Sequence, residues 1–352
     1  MKRSMALRLL LAAALGAGAA RLAIAGAPNA SLAGATRGTL DIVLPYYPPS
    51  ARALGLGRAT VALEGVDSHN PAALGFFKGI DLSASYGNLD FRRGPDLDIY
   101  NSSVVIPTPM LGGSTKLMGF YLHTRDRDPS KMMGANTELW GQQIGIASGV
   151  QVPIPDGFGK LALGFAGYPN DPSEVTLTMP DGMGGTTRVA HGRGQSQIGS
   201  IRLGALYKPT DEASIGAEFT HIKDKLHATY LGVPGRFESN YHVNLLTLGA
   251  AYRVLKSTTL MVQYTTGAAH GQGVDAHYAI DSAGVEHQIK VAKDVTISLR
   301  GGWYDNGPTC GVGTTLPGQC RIDYGYMHDY GEGAKKAFGH GPLHLFTVGK
   351  TF

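Results

Sequence analysis

The sequence predicts an all-β fold, a transmembrane antiparallel β-barrel of about 14 strands with an N-terminal plug. Three observations predict it. From about residue 115 onward, apolar and polar residues alternate in short segments joined by turn-forming stretches. The apolar face of each of the clearest segments ends on an aromatic residue, where a bilayer would place its interfacial girdles. A basic and then apolar leader marks the chain for export.

In the leader, Lys2, Arg3 and Arg8 precede an Ala/Leu run, and Ala23-Ile24-Ala25 before Gly26 suits signal peptidase. The run from Leu9 to Ala20 is about 12 residues, short of the ~20 a membrane helix requires. Residues 1–25 therefore read as a cleaved signal peptide rather than an anchor. The leader takes four of the 31 Lys and Arg residues with it, which leaves as many basic residues as the 27 acidic ones. The formal charge of +4 is thus a targeting charge, and no basic stripe with interleaved aromatics follows. Nucleic-acid binding is excluded on that ground.

Residues 26–79 read as a separate unit. Pro48-Pro49, the small residues Ala51, Ala53, Gly55, Gly57 and Ala59, and Asn70-Pro71 ahead of an Ala/Leu turn suggest short helices with close backbone approach. Such an element fits inside a barrel as a plug, and a periplasmic tail is the alternative.

Residues 80–352 supply the barrel. Candidate strands are 80–91, 115–125, 138–152, 159–168, 175–180, 199–207, 214–220, 227–231, 243–254, 258–265, 274–280, 294–304, 321–327 and 343–352. In 199–207, Ile201, Leu203, Ala205 and Tyr207 face one way and Ser200, Arg202 and Gly204 the other. In 294–304, Val295, Ile297, Leu299, Gly301 and Trp303 oppose Thr296, Ser298, Arg300 and Gly302. Lys160, Arg202, Gln263 and Arg300 are the candidate lumen-facing residues, because a hydrated or paired lumen accepts them and a packed apolar core does not. A large periplasmic sandwich or propeller shares the alternation but not the aromatic ends. Tight connections (Pro155-Asp156-Gly157, 208–212, Lys256-Ser257) alternate with long ones at 170–195, 222–240, 266–293 and 305–319. Cys310 and Cys320 flank the nine residues GVGTTLPGQ, and a disulfide pinching a loop is the expectation in an exported chain. No His or further Cys stands near them at zinc spacing.

The terminal strand LHLFTVGKTF places Phe346, Val348 and Phe352 on its apolar face together with Lys350. It resembles the closing strand of outer-membrane barrels, whose last Phe belongs to the signal read by the barrel-assembly machinery.

The stretch from Ala51 to Leu74 resembles the N-terminal hatch of the long-chain fatty-acid transporter family of the outer membrane (FadL-like). Ala51-Arg52-Ala53-Leu54-Gly55, Gly57, Ala59, Val61-Ala62 and Asn70-Pro71-Ala72-Ala73-Leu74 carry the likeness, and VPIPDGFGKLALGFAGY, LGALYKPTDEASIGAEF and WYDNGP continue it. The resemblance implies a 14-stranded barrel and passive uptake of a hydrophobic molecule, fatty-acid-like or aromatic, that leaves through a wall gap made by a kinked strand. It places Asn70, Pro71, Ala72 and Ala73 in the plug, in a structural or a gating role. The polar loops at 170–195 and 222–240 depart from a lipid-trapping family pattern. The rival reading is a structural barrel that partners a secretion or envelope complex. In either case the expected partners include outer-membrane lipid.

No enzyme constellation stands out. Asp67-Ser68-His69 are consecutive and cannot form a relay. A barrel enzyme, as in the outer-membrane lipid hydrolases, would need a nucleophile and a base near one rim. His191, His221, His227 and His242 show no metal spacing, and GLGRAT and GMGGTT lack the Lys-Ser/Thr of a phosphate loop. No cofactor is expected.

Overall fold

In a computed structural model, the described residues are 49–92, 96–108, 112–124, 136–155, 157–171, 174–180, 186–192, 198–229, 236–271, 274–305, 307–330 and 340–352. The leader, residues 26–48 and parts of the long connections lie outside them.

Sixteen strands form one antiparallel sheet: β1 (Asp81–Leu89), β2 (Leu97–Thr108), β3 (Gly113–Thr124), β4 (Asn136–Val152), β5 (Lys160–Asp171), β6 (Glu174–Pro180), β7 (Thr186–Gly192), β8 (Ile198–Lys208), β9 (Ala213–Thr229), β10 (Arg236–Leu255), β11 (Thr258–Gly271), β12 (Val274–Ala292), β13 (Val295–Tyr304), β14 (Gly307–Leu316), β15 (Cys320–Met327) and β16 (Leu343–Thr351). All but β6 and β7 form a closed ring of 14 strands, with β16 pairing β1 from Asp81↔Thr351 to Leu89↔Leu343. Closure removes both sheet edges. β6 and β7 form a hairpin that extends the sheet from the far end of β4.

The barrel has 14 strands, as expected, but they are not the 14 expected segments. Strand β2 was hidden because Asn101-Ser102-Ser103 interrupts its apolar period, and β14 because GPTCGVGTTL has the composition of a loop. Conversely, 175–180 belongs to the outer hairpin, and of 227–231 the described residues 227–229 continue β9. Most of 222–240 and 266–293 is strand, since β9 to β12 run on past the apolar band.

The cysteine expectation is corrected. Cys310 lies opposite Tyr326 and Cys320 opposite Leu316, at the two ends of the β14–β15 hairpin. Six residues of extended chain separate them, about 20 Å at ~3.3 Å per residue, while a disulfide needs Cα atoms within ~7 Å. Both are free thiols, Cys310 exposed on the outer face. Maleimide labelling of the unfolded chain without reductant should therefore add two labels, and an unreduced sample labelled at neither site would contradict the register.

The period of two sets the faces. Outward residues are apolar and exposed around the ring, among them Leu82, Val104, Leu163, Leu203, Leu248, Leu299, Val312 and Val348. An exposed apolar band of this extent is unstable in water and matches a hydrocarbon layer. Aromatics border it. Phe158, Tyr207, Tyr252 and Phe352 lie near the tight-turn rim, and the Tyr207 hydroxyl donates to the Phe158 carbonyl at 2.6 Å. Toward the other rim, Tyr86 and Tyr121 flank Tyr100 at ring distances of 5.2 and 6.0 Å, and Tyr324 packs on Phe346 at 4.8 Å. Lys350 keeps its ammonium over the Phe352 ring, 4.7 Å from the centroid, with its stem along the apolar face.

Candidate functional site in the barrel lumen

Residues 49–80 lie against the inner wall. Helix α1 (Ala51–Gly55) is capped by the Ser50 side chain, which accepts from the Ala53 amide, and it packs on β14 and β15. A short 3-10 helix, Pro71–Phe76, starts at Asn70, whose side chain accepts from the Ala72 amide at 3.0 Å, with Pro71 in the first turn where its missing N–H costs nothing. This turn packs on β4, β5 and β8. Ala72 and Ala73 are fully buried.

The wall receives this segment through a belt of inward glycines that are direct cross-strand partners: Gly149, Gly164 and Gly204 on β4, β5 and β8; Gly216 and Gly249; Gly284 and Gly302; Gly311 and Gly325. A Cβ on Gly149 would lie 2.5 Å from the Gly75 amide nitrogen, and one on Gly302 2.5 Å from that of Gly57. On Gly204 it would collide with the Asn70 carboxamide. The segment's main chain thus touches the wall's main chain, which only residues without a Cβ allow.

Polar groups complete the contact. The Asn70 amide donates to the Val61 and Ala205 carbonyls at 2.8 and 2.9 Å. Gln263 faces inward, and its Oε1 accepts from the Thr60 and Val61 amides at 3.1 and 3.0 Å. Ser68 donates to the Thr60 carbonyl at 2.7 Å, so Asp67, Ser68 and His69 do separate jobs rather than form a relay. The Lys208 ammonium pairs with Glu64.

A chain of alternating charges ties four strands to this segment. Arg300, with a side chain 4 % exposed, donates to Glu286 at 2.8 Å and to Asp323 at 2.6 Å. Glu286 also accepts both arms of Arg52, at 3.0 and 2.9 Å. Arg52 lies 3.5 Å from Asp67, which accepts from Arg321 at 3.1 Å, and Arg321 reaches Asp81 at 2.9 Å. Seven side chains on β1, β12, β13, β15 and the N-terminal segment are linked in this way, each buried charge meeting its opposite.

Of the sequence-derived lumen residues, Arg202, Gln263 and Arg300 face the interior. Lys160 keeps the inward parity but sits exposed at the tight-turn rim, where it bonds Asp211 at 3.2 Å and so holds that carboxyl below its usual range.

Above the Pro71–Phe76 turn, on the long-connection side, lies a cavity of about 80 Å³. Val66, Leu74, Met118, Phe120, Ala147, Ala166 and Ile222 give it apolar walls, and His69, Lys116, Tyr168 and Arg202 supply its polar groups. Lys116 donates to the Val66 carbonyl at 2.8 Å. Arg202 lies over the Tyr168 ring, 5.3 Å from its centroid. His69 Nε2 is buried and has no hydrogen-bond partner among the described residues.

Beside this cavity the wall ladder is interrupted. Over their described residues, β2, β3 and β4 pair without a register shift. β4 pairs with β5 up to Ile146↔Gly167 and with β6 from Trp140↔Glu174, and among the described residues 141–145 have no ladder partner on that side. β5 bulges there, between Tyr168 and Asp171. The Tyr168 ring lies on the inner side of this stretch, so close to Gly145 that a Cβ there would lie 2.5 Å from it, and its hydroxyl lies 2.7 Å from the Met118 sulfur. This opening and the glycine belt were not legible in the sequence, because both depend on which strands pair and in what register.

A closed, even-stranded antiparallel ring with an apolar, aromatic-bordered exterior defines the class: an outer-membrane β-barrel. Solved structures share the fold, two of them with the following likeness. The toluene transporter TbuX of Ralstonia pickettii aligns with a TM-score of 0.51 at 13% identity, over 87% of this chain and 100% of that one. A Pseudomonas aeruginosa FadL homologue aligns with a TM-score of 0.52 at 14% identity, over 86% and 98%. No family model matches the sequence. No curated protein matches it either. The chain thus shares its fold with these two proteins across most of its length, at 13–14% sequence identity.

Proposed function

We propose that the protein is an outer-membrane channel for passive uptake of small hydrophobic compounds, with residues 49–80 as its plug and the β4–β5 interruption as its lateral portal. The observation that carries this reading is the adjacency of an apolar cavity to an unpaired stretch of wall. Tyr168, which lines the cavity, lies against this stretch at Gly145 and is the gate in this reading. The fold shared with a toluene transporter supports the same class of cargo.

Cavity size sets the scale of the cargo. A cavity of ~150 Å³ holds benzene, so one of about 80 Å³ admits a single ring only if Tyr168 swings aside. A long acyl chain does not fit within it. His69, Lys116 and Arg202 favour a compound with one polar or anionic tip, seated against otherwise apolar walls.

Uptake of toluene and of benzoate by cells or proteoliposomes tests this. Ala166→Trp, which fills the cavity, should lower uptake several-fold, and Tyr168→Ala, which uncovers the portal, should raise it. Both variants should keep the heat-dependent gel shift of a folded barrel. Uptake unchanged in a folded Ala166→Trp barrel would favour the second reading, a structural barrel serving an envelope complex. That reading draws on the closed ring of strands and on the charge chain that ties residues 49–80 to the wall. We also infer that Phe346, Val348 and Phe352 present the signal recognised by the barrel-assembly machinery, with Phe346 and Val348 exposed on the outer face of the closing strand.

A further inference from the structure

We propose that His328, Asp329 and His340 form a binding site for a divalent transition-metal ion of the zinc class at the long-connection rim of the barrel. One ligand atom from each of the three lies within 4.8 Å of the others. Two imidazoles and a carboxylate are a donor set that suits zinc and its neighbours, with further positions left for water.

The three residues sit on both arms of the β15–β16 connection, and backbone bonds to neighbouring strands hold each arm. The His328 amide donates to the Pro308 carbonyl at 3.1 Å, at the start of β14. On the other arm, the Arg92 amide donates to the His340 carbonyl at 2.9 Å, and the Asp90 amide to that of Pro342 at 3.2 Å. The two imidazoles, with ring centres 5.8 Å apart, therefore face each other on fixed supports rather than on free loop tips.

Local contacts orient the ligands. Asp329 is buried, and its Oδ1 lies 2.9 Å from His340 Nδ1. The Tyr326 hydroxyl lies 3.2 Å from His328 Nδ1 and sets that ring's rotation. Both histidines are exposed, so a hydrated ion can reach them. Ligand atoms of a tetrahedral zinc stand about 3.3 Å apart. An ion binding here replaces the proton shared by Asp329 and His340 and draws His328 in, with movements of an ångström or less per side chain on the scale of these distances.

A second set of rings, His221, His242, His270 and His277, runs across the outer face of β9 to β12 at spacings of 6.3, 5.8 and 6.4 Å. Among the described residues, no three ligand atoms from this set lie close enough to share one ion, and it provides the internal comparison.

The test is calorimetric titration of Zn²⁺ and Ni²⁺ into the chelator-stripped, folded full chain in detergent. One ion per chain is expected. His328→Ala and Asp329→Asn should each weaken binding by at least about 10-fold, the scale on which altered ligand shells act, and His221→Ala/His242→Ala/His270→Ala should leave it unchanged. Co²⁺ should give a visible absorption band in the parent chain that the His328→Ala protein lacks. His328 is exposed and outside the strand ladders, and the gel shift verifies folding of that variant. Absence of binding, equal binding by His328→Ala, or loss only in the triple variant would overturn the proposal.

Discussion

Arg300→Ala is expected to destabilise the barrel by about 3–5 kcal/mol, the cost of stranding buried charges by removing one partner. Arg300 neutralises Glu286 and Asp323 at once, and both carboxylates are buried. Arg52 still reaches Glu286 in the variant, but among the described residues no other cation forms an ion pair with Asp323. Urea unfolding followed by the heat-dependent gel shift should show a midpoint well below that of the parent. Arg300→Lys should recover only part of the loss, because one ammonium cannot reproduce a planar fork aimed at two carboxylates. Coincident parent and Arg300→Ala unfolding curves would mean that the charge chain does not bear on stability.

Gly204→Val is expected to drive the N-terminal segment out of the lumen while the wall remains closed. The new side chain would enter the volume of the Asn70 carboxamide, and neither backbone can retreat, since Gly204 is paired on both sides, with Gly164 and Glu218. Freed of residues 49–80, the barrel becomes an open pore. Planar-bilayer conductance should rise several-fold, and a protease should gain access to the segment around Arg52 and Arg58. Gly112→Ala, where an added Cβ meets nothing within 4 Å, serves as a control for glycine replacement, although its positive φ adds local strain. A folded Gly204→Val barrel with parent conductance would show that residues 49–80 do not block the pore.

These two expectations rest on features of different legibility. Arg300 stood out in the sequence because a charge in mid-strand, opposite Leu299 and Trp303, has a place only inside a lumen. Its partners did not stand out, since Glu286 and Asp323 lie 14 and 23 positions away and are brought together by the registers of β12, β13 and β15. Asn70 and Pro71 were recognisable as a helix start, and the structure adds what they touch. The glycines of the belt were visible as a surplus of 50 in the composition, but nothing local separates an inward glycine that admits a backbone from one in a loop.

The cysteine pair shows the limit most directly. Nine intervening residues rich in Gly and Thr have a loop's composition, yet β13 on one side and β15 on the other draw most of them into β14. Neighbouring strands overrode local propensity, and the two thiols ended at opposite ends of a hairpin.

By itself the sequence determined the alternation, and with it the all-β class, the apolar exterior and the tight turns at one rim. Each of these follows from a period of two residues and from turn chemistry, which are local. The tertiary structure decided the pairing: which glycines meet the N-terminal segment, which charges complete the chain through the lumen, where the ladder opens beside the cavity, and how His340 comes to lie next to Asp329. Those contacts join residues tens to hundreds of positions apart. Register between strands sets them, and register is a property of the closed barrel that no single strand contains.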